Sequence, residues 1–127
     1  MISHSYRIPD WIDNNARVLD LGCGDGRLLA QLVETHAIHA LGLELDPNKI
    51  AACLDLGLSV IQQDLNRGLS NFNDQQFDTV IMTQTLQAIR RPDLALSEML
   101  RVGHEAIVTF PNFCLLYTSD AADDVSV

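Results

Sequence analysis

The stretch that most restricts what this chain can fold into is VLDLGCGDG, residues 18–26, where a short apolar run meets glycines at alternate positions. Gly22, Gly24 and Gly26 remove three Cβ atoms within five residues, so the backbone can turn tightly and approach a ligand closely. The run before them is typical of a buried strand, and the leucines after them stand at helical spacing. The loop therefore leads from a strand into a helix, and it fits a phosphate, a nucleoside or neither.

Strand and helix patterns alternate along the rest of the chain. Apolar runs bounded by turn residues, typical of buried strands, occur at residues 16–21, 40–44, 58–62, 77–82 and 106–110. Helical patterns lie between them, and Asp46 followed by Pro47 supplies an N-cap and a proline at the first helical position. This alternation predicts an α/β fold, with a Rossmann-like doubly wound, mainly parallel sheet and helices on both faces.

Composition limits the class of partner. The chain has 127 residues, 47% of them hydrophobic, and a formal net charge of -9, so we expect one globular domain without a general nucleic-acid surface. No apolar run approaches the roughly 20 residues that cross a bilayer, and no signal sequence is recognisable at the start. Cys23, Cys53 and Cys114 form no zinc-binding pattern. We expect a cytoplasmic protein with reduced thiols, no metal and no membrane partner.

Two common phosphate-binding loops do not match the glycine stretch. A GxxxxGK[ST] loop needs a lysine after its last glycine, but Arg27 follows Gly26 and no Ser or Thr completes the pattern. A dinucleotide fingerprint needs GxGxxG, whereas this chain has GxGxG with arginine where the third glycine would fall. Cys23 lies between two glycines with no histidine near it in sequence, so it fills a small space better than it serves as a nucleophile.

Acidic residues stand at the ends of the first three predicted strands, which lie on one rim of a parallel sheet. Asp20 precedes the glycines, and Glu44 lies 18 residues after Gly26, close to the roughly 20-residue spacing at which an acid accepts from ribose hydroxyls. Asp64 suits an adenine amino group as an acceptor, and it equally suits the cap of a turn. Together they describe a nucleoside site, and their charge suits S-adenosylmethionine, a cation without phosphate, better than NAD.

The segments VLDLGCGDG, GLELD, IQQDLN and FDTVIM, in this order and spacing, resemble motifs one to four of class I S-adenosylmethionine-dependent methyltransferases. LGLELDPNKIAAC, VIQQDLNRGL, MTQTLQAIRRPD, EMLRVG and VTFPNF closely resemble the MetW family of methionine biosynthesis, and the likeness extends from Ile8 to Phe113. The resemblance implies S-adenosylmethionine as the cofactor. It implies that Gly22, Gly24 and Gly26 contact the methionine part and that Asp20 lies near its amino group. It also implies that Glu44 binds the ribose and that Asp64 and Leu65 contact adenine. Gln84 would lie near the sulfonium.

The resemblance leaves two functions open. One is a small-molecule methyltransferase, and the other is a non-catalytic regulatory or partner subunit that supports a homoserine O-acyltransferase. Ala88 stands where many small-molecule methyltransferases place a histidine, and the NPPY or DPPY sequence of enzymes that methylate nucleic-acid amines is absent. We therefore assign no catalytic residue, and both functions include binding of S-adenosylmethionine.

The last segment, CLLYTSDAADDVSV, shows no strand or helix periodicity, and it back-translates to a sequence resembling a transposon-type sequencing adapter. We expect residues 1–113 to form a MetW-like domain that is incomplete, and residues 114–127 to be a non-native tail rather than a genuine acidic terminus. The resemblance implies the sheet order 3-2-1-4-5-7-6. Because we expect the last strands to be missing, strand five is predicted to be an exposed edge.

Overall fold

The computed structural model describes residues 8–83, 88–110, 114–118 and 121–126. Its helices are α1 (Ile8–Trp11), α2 (Arg27–His36), α3 (Pro47–Asp55) and α4 (Pro92–Val102), with a 3₁₀ turn at Leu65–Arg67. Its strands are β1 (Arg17–Leu21), β2 (His39–Glu44), β3 (Ser59–Gln62), β4 (Phe77–Thr83), β5 (Gly103–Thr109), β6 (Cys114–Thr118) and β7 (Ala121–Ser126). Within these ranges no helix has the length and hydropathy that crossing a bilayer requires.

The strands form one sheet in the order β3-β2-β1-β4-β5-β6-β7. The pairs from β3 to β5 are parallel, and the pairs of β5 with β6 and of β6 with β7 are antiparallel. The chain runs outward from β1 to β3 and then returns to β4 on the other side of β1, so the order reverses between β1 and β4. The predicted α/β, doubly wound and mainly parallel fold is confirmed, and the reversal creates a crevice at the carboxyl ends of these strands.

The helices cover both faces of the sheet, as predicted. Successive residues of a strand point to opposite faces, so Val18 lies in the hydrophobic cluster that contains α1, α2 and residues of α3. Its neighbour Leu19 lies in the other cluster, with Met99 and Val102 of α4. All four of these side chains are fully buried. The strands are therefore buried on both sides, which explains why their sequences read as continuous apolar runs.

The prediction that strand five is an exposed edge is wrong. β6 pairs along β5, with Glu105 opposite Thr118 and Thr109 opposite Cys114, and β7 pairs with β6. The order 3-2-1-4-5-7-6 is not formed either, because β6 follows β5 directly as its antiparallel neighbour.

The absence of visible periodicity in CLLYT has a physical explanation. Leu116 packs against the α2 side of the sheet and Tyr117 against the α4 side, so both faces of β6 carry apolar residues and no alternation of polarity appears. The origin of residues 114–127 as a non-native tail remains a prediction.

Candidate functional site

The glycine loop joins β1 to α2 and is attached to the neighbouring strand. The backbone N–H groups of Gly22 and Cys23 both donate to the carbonyl oxygen of Leu43, at 2.8 Å and 2.9 Å. Gly22, Gly24 and Gly26 all have positive φ, at 77°, 61° and 86°. This left-handed backbone, which favours glycine, turns the chain over the carboxyl ends of β1 and β2.

Two glycines of the loop are needed for different reasons. A Cβ at Gly26 would lie 2.6 Å from Cδ1 of Leu58 and 3.0 Å from Sγ of Cys53, so a larger residue at this positive φ would force these side chains to shift. A Cβ at Gly24 would meet no atom within 4 Å, because Gly24 faces an open cleft. Gly26 is not among the residues that line this cleft. Its predicted contact with a ligand therefore remains a prediction, whereas its packing role is visible.

Glu44, the last residue of β2, holds its carboxylate at the mouth of the cleft. Oε1 accepts from the backbone N–H of Gly24 at 2.8 Å, and Oε2 accepts from the N–H groups of Leu45 and Asp46 at 3.0 Å each. The position follows from the parallel sheet, because β2 ends beside the loop that follows β1. A carboxylate has about four acceptor positions, so with three of them occupied this one is fixed in place and keeps about one position for a ligand hydroxyl.

Asp20 lies beneath the loop, at the end of β1. The residue is only 1% exposed, and among the described residues no donor reaches its Oδ1. Burial, and secondarily the charge of Glu44, raise the pKa of Asp20 to about 7. A buried carboxylate oxygen without a donor is destabilising, so Asp20 suits a cationic donor from a ligand. Because Asp20 does not line the cleft, such a contact requires the glycine loop to shift.

Asp64 and Leu65 follow β3, the strand next to β2. Asp64 is the N-cap of the 3₁₀ turn, and its Oδ1 accepts from the backbone N–H of Asn66 at 2.9 Å. The turn-cap interpretation is therefore confirmed, and both residues also line the cleft. A contact of either residue with adenine remains a prediction.

The cleft has a volume of about 470 Å³ and gathers most of the predicted site. Of the predicted residues it is lined by Gly22, Gly24, Glu44, Asp64 and Leu65. Gln84 lies outside the described residues.

Sequence reasoning missed other residues of the cleft lining, among them Lys49, Asn66 and Ile89. Asn66 directly follows the predicted pair Asp64 and Leu65, so the turn pattern after β3 was a usable signal for it. Lys49 lies in the first turn of α3, near the rim that Glu44 occupies. No sequence pattern around Ile89 indicated that it would line the cleft.

Cys23 of the glycine loop and Cys53 of α3 are packing residues. The sulfur atoms of Cys23 and Cys53 lie 3.7 Å apart, and the Cys53 thiol donates to the carbonyl oxygen of Gly24 at 3.1 Å. Burial raises the pKa of both thiols, so both stay protonated near neutral pH. Because the thiolate is the nucleophile, neither cysteine is suited to covalent chemistry.

Residues 3–118 match the family described as methionine biosynthesis protein MetW. The chain belongs to the MetW family. It is 44% identical over 114 residues to the bifunctional methionine biosynthesis protein MetXA/MetW of Rhodopirellula baltica, a match that covers 84% of this chain and 18% of that protein.

Solved structures share the fold of this MetW family member. A TehB-like S-adenosylmethionine-dependent methyltransferase from Corynebacterium glutamicum superposes with a TM-score of 0.68 at 25% identity, covering 84% of this chain and 61% of the other. The [4+2]-cyclase SpnF superposes with a TM-score of 0.70 at 25% identity, covering 80% and 43%. The chain thus spans less than a fifth of the curated relative and about half of these structures. Since the second of them is named as a cyclase, the fold alone does not determine a reaction.

Proposed function

We propose that this MetW family protein binds S-adenosylmethionine in the glycine-loop cleft. The observation that carries the proposal is the carboxylate of Glu44, which three backbone N–H groups hold at the mouth of the cleft. A fixed acceptor at the end of the second strand suits a hydroxyl of a ribose. The cleft, at about 470 Å³, lies in the usual size range of small-molecule sites, roughly 300 to 1,000 Å³.

The charges around the cleft favour this ligand over a dinucleotide. Asp20, Glu44 and Asp64 surround the glycine loop, and carboxylates repel a pyrophosphate. S-adenosylmethionine carries a sulfonium and an ammonium instead. In this proposal Asp20 accepts from the ammonium, which supplies the donor that its buried oxygen lacks.

The other contacts that we propose with S-adenosylmethionine use further residues of the cleft lining. Asp64 accepts from the adenine amino group, and Leu65 packs against the adenine plane. Gly22 and Gly24 let the methionine part approach the backbone, since Gly24 has open space in front of it. Bound there, S-adenosylmethionine supplies an electrophilic methyl group on its sulfonium.

Methyl transfer needs positioning and exclusion of water more than it needs a base. The described part of the cleft has Ala88 rather than a proton acceptor at the start of the segment before α4. We therefore propose a methyltransferase-type protein without assigning a catalytic residue. We also infer a cytoplasmic location, for which the free thiols of Cys23 and Cys53 are the support.

Calorimetry on the Glu44→Ala variant tests the proposal. A charge-assisted hydrogen bond to the ribose is lost, so affinity for S-adenosylmethionine should fall roughly tenfold or more at about 1.5 kcal/mol. Glu34→Ala, an equal charge change at an exposed position on α2, is the matched control and should bind as the unsubstituted protein does. Circular dichroism verifies that each variant is folded. Unchanged affinity in the Glu44 variant would remove the ribose assignment.

A second function is favoured by one observation. The Rhodopirellula baltica relative is named as MetXA and MetW together in one bifunctional protein. We propose on this ground that the chain can act as a non-catalytic partner of a homoserine O-acyltransferase. The two proteins, expressed separately and mixed, should co-elute in gel filtration, and acyltransferase activity should rise only when both are present. Separate elution with unchanged activity contradicts the partner function without bearing on ligand binding.

A further inference from the structure

A second cavity, of about 540 Å³, lies beside the glycine-loop cleft. Its walls come from the segment after β3, the end of β4 and the first turns of α4. Leu65, Asn66 and Ile89 line both cavities, so they form a shared wall. The proposed binding of S-adenosylmethionine does not involve the side of this wall that faces the second cavity.

Two arginines with no carboxylate partner line this second cavity. In the described ranges no acid lies within ion-pair distance of Arg67 or Arg90, whereas Arg91 pairs with Asp93 at 3.0 Å. The backbone N–H of Arg90 donates to Oδ1 of Asn66 at 3.1 Å, which joins the two arginine-bearing segments. In a protein of net charge -9, two unneutralised guanidinium groups in one cavity indicate an anionic ligand.

The floor of the cavity is apolar. Leu21, Leu69 and Met82 line it and are 2%, 3% and 0% exposed. The N-terminus of α4 borders the cavity through Leu94. The cavity therefore joins a positive rim to an apolar floor.

We propose that this second cavity binds a small amphipathic carboxylate. The carboxylate lies between Arg67 and Arg90, where planar guanidinium groups bind it through paired hydrogen bonds. The apolar body of the ligand covers Leu21 and Met82. A monoanion is favoured over a phosphate dianion because the carboxylate of Glu98 lines the same cavity, although it is bound to Arg101 at 2.7 Å.

The test uses octanoate as the probe, titrated into the full chain by calorimetry without S-adenosylmethionine. Octanoate should bind, and Arg67→Gln and Arg90→Gln should each weaken it roughly five- to tenfold, the value of one charge-assisted hydrogen bond discounted for exposure. Arg27→Gln is the matched control, because Arg27 is 87% exposed, pairs with Asp25 and does not line the cavity. Both cavity arginines are exposed, so unchanged melting temperatures should verify that the variants are folded.

Four results would overturn the inference. The first is absence of octanoate binding at millimolar concentration. The second is equal affinity for 1-octanol, which lacks the charge. The third is equal affinity of octanoate for both arginine variants and for the control variant. The fourth is tighter binding of octyl phosphate than of octanoate, which removes the carboxylate assignment. Since no arm uses S-adenosylmethionine, failure here is distinguishable from failure of the proposed function.

Discussion

The two cavities share a wall of three residues and have opposite charge. The glycine-loop cleft is lined by the carboxylates of Glu44 and Asp64, with Asp20 buried beneath the loop, and the neighbouring cavity is lined by the guanidinium groups of Arg67 and Arg90. This contrast is the basis for proposing that the two spaces bind ligands of opposite charge.

The two sets of charges are also held differently. Glu44 accepts from three backbone N–H groups and Asp64 from one, so their positions follow from where strands end. Arg67 and Arg90 are exposed side chains, and the backbone N–H of Arg90 donates to the side-chain oxygen Oδ1 of Asn66, the residue before Arg67. Because the acids are preorganised and the arginines are not, substitutions on the acidic side should have the larger effects.

The largest effect is expected for Asp20→Asn, measured as the pH dependence of stability. Burial raises the pKa of Asp20 from 3.8 to about 7, so between these values the native protein holds a proton that the unfolded chain releases. Its stability should therefore fall as pH rises from about 4 to 7, by up to about 4 kcal/mol at 1.4 kcal/mol per pKa unit. Asp20→Asn removes this fall. Urea unfolding at pH 4.5, 6 and 8 measures the slope.

Asp55→Asn, at an exposed position of α3, is the control and should keep the slope of the unsubstituted protein. Ligand binding should respond in the opposite sense. An ammonium binds the ionised carboxylate, so affinity for S-adenosylmethionine should increase as pH rises through about 7. The Asp20→Asn variant should not show this increase. Equal slopes in Asp20→Asn and Asp55→Asn would show that Asp20 does not titrate as described.

The next largest effect is expected to distinguish Gly26, which packs against Leu58, from Gly24, which faces the cleft. Gly26→Ala should lower the free energy of unfolding by about 3 kcal/mol, since its methyl group would clash with Leu58 at a positive φ. Gly24→Ala should cost only about 1 kcal/mol, the strain of its φ, because no atom lies within 4 Å. Its methyl group points into the cleft, so it should weaken ligand binding instead. Equal losses of stability would contradict the distinction between the two positions.

The acidic side of this comparison was predictable from sequence, and the basic side was not. Asp46 caps α3 by accepting from the N–H of Asn48 at 2.9 Å, and such local signals define the elements. Once strand ends are known, a parallel sheet brings Glu44 and Asp64 to one rim. Arg67 and Arg90 are 23 residues apart in sequence and line one cavity because of the tertiary fold, so no local sequence pattern indicates them.

The strands after β5 were missed for a related reason. β6 is recognised by its partner, since Leu115 lies opposite Val108 and Leu116 opposite Ile107, and a run of apolar residues alone does not distinguish a strand from a stray segment. Pairing between strands is a tertiary property, and propensity within one strand is a weak guide to it.

The smallest effect is expected when each ligand is measured against the variants of the other cavity. Arg67→Gln and Arg90→Gln should leave affinity for S-adenosylmethionine within about twofold, and Glu44→Ala should do the same for octanoate, because exposed charges are screened by salt. Asn66→Ala should weaken both ligands, since Asn66 belongs to the shared wall and accepts from the N–H of Arg90. If the arginine variants weaken both ligands as well, the two spaces form one site. The opposite charges would then serve the two ends of a single ligand.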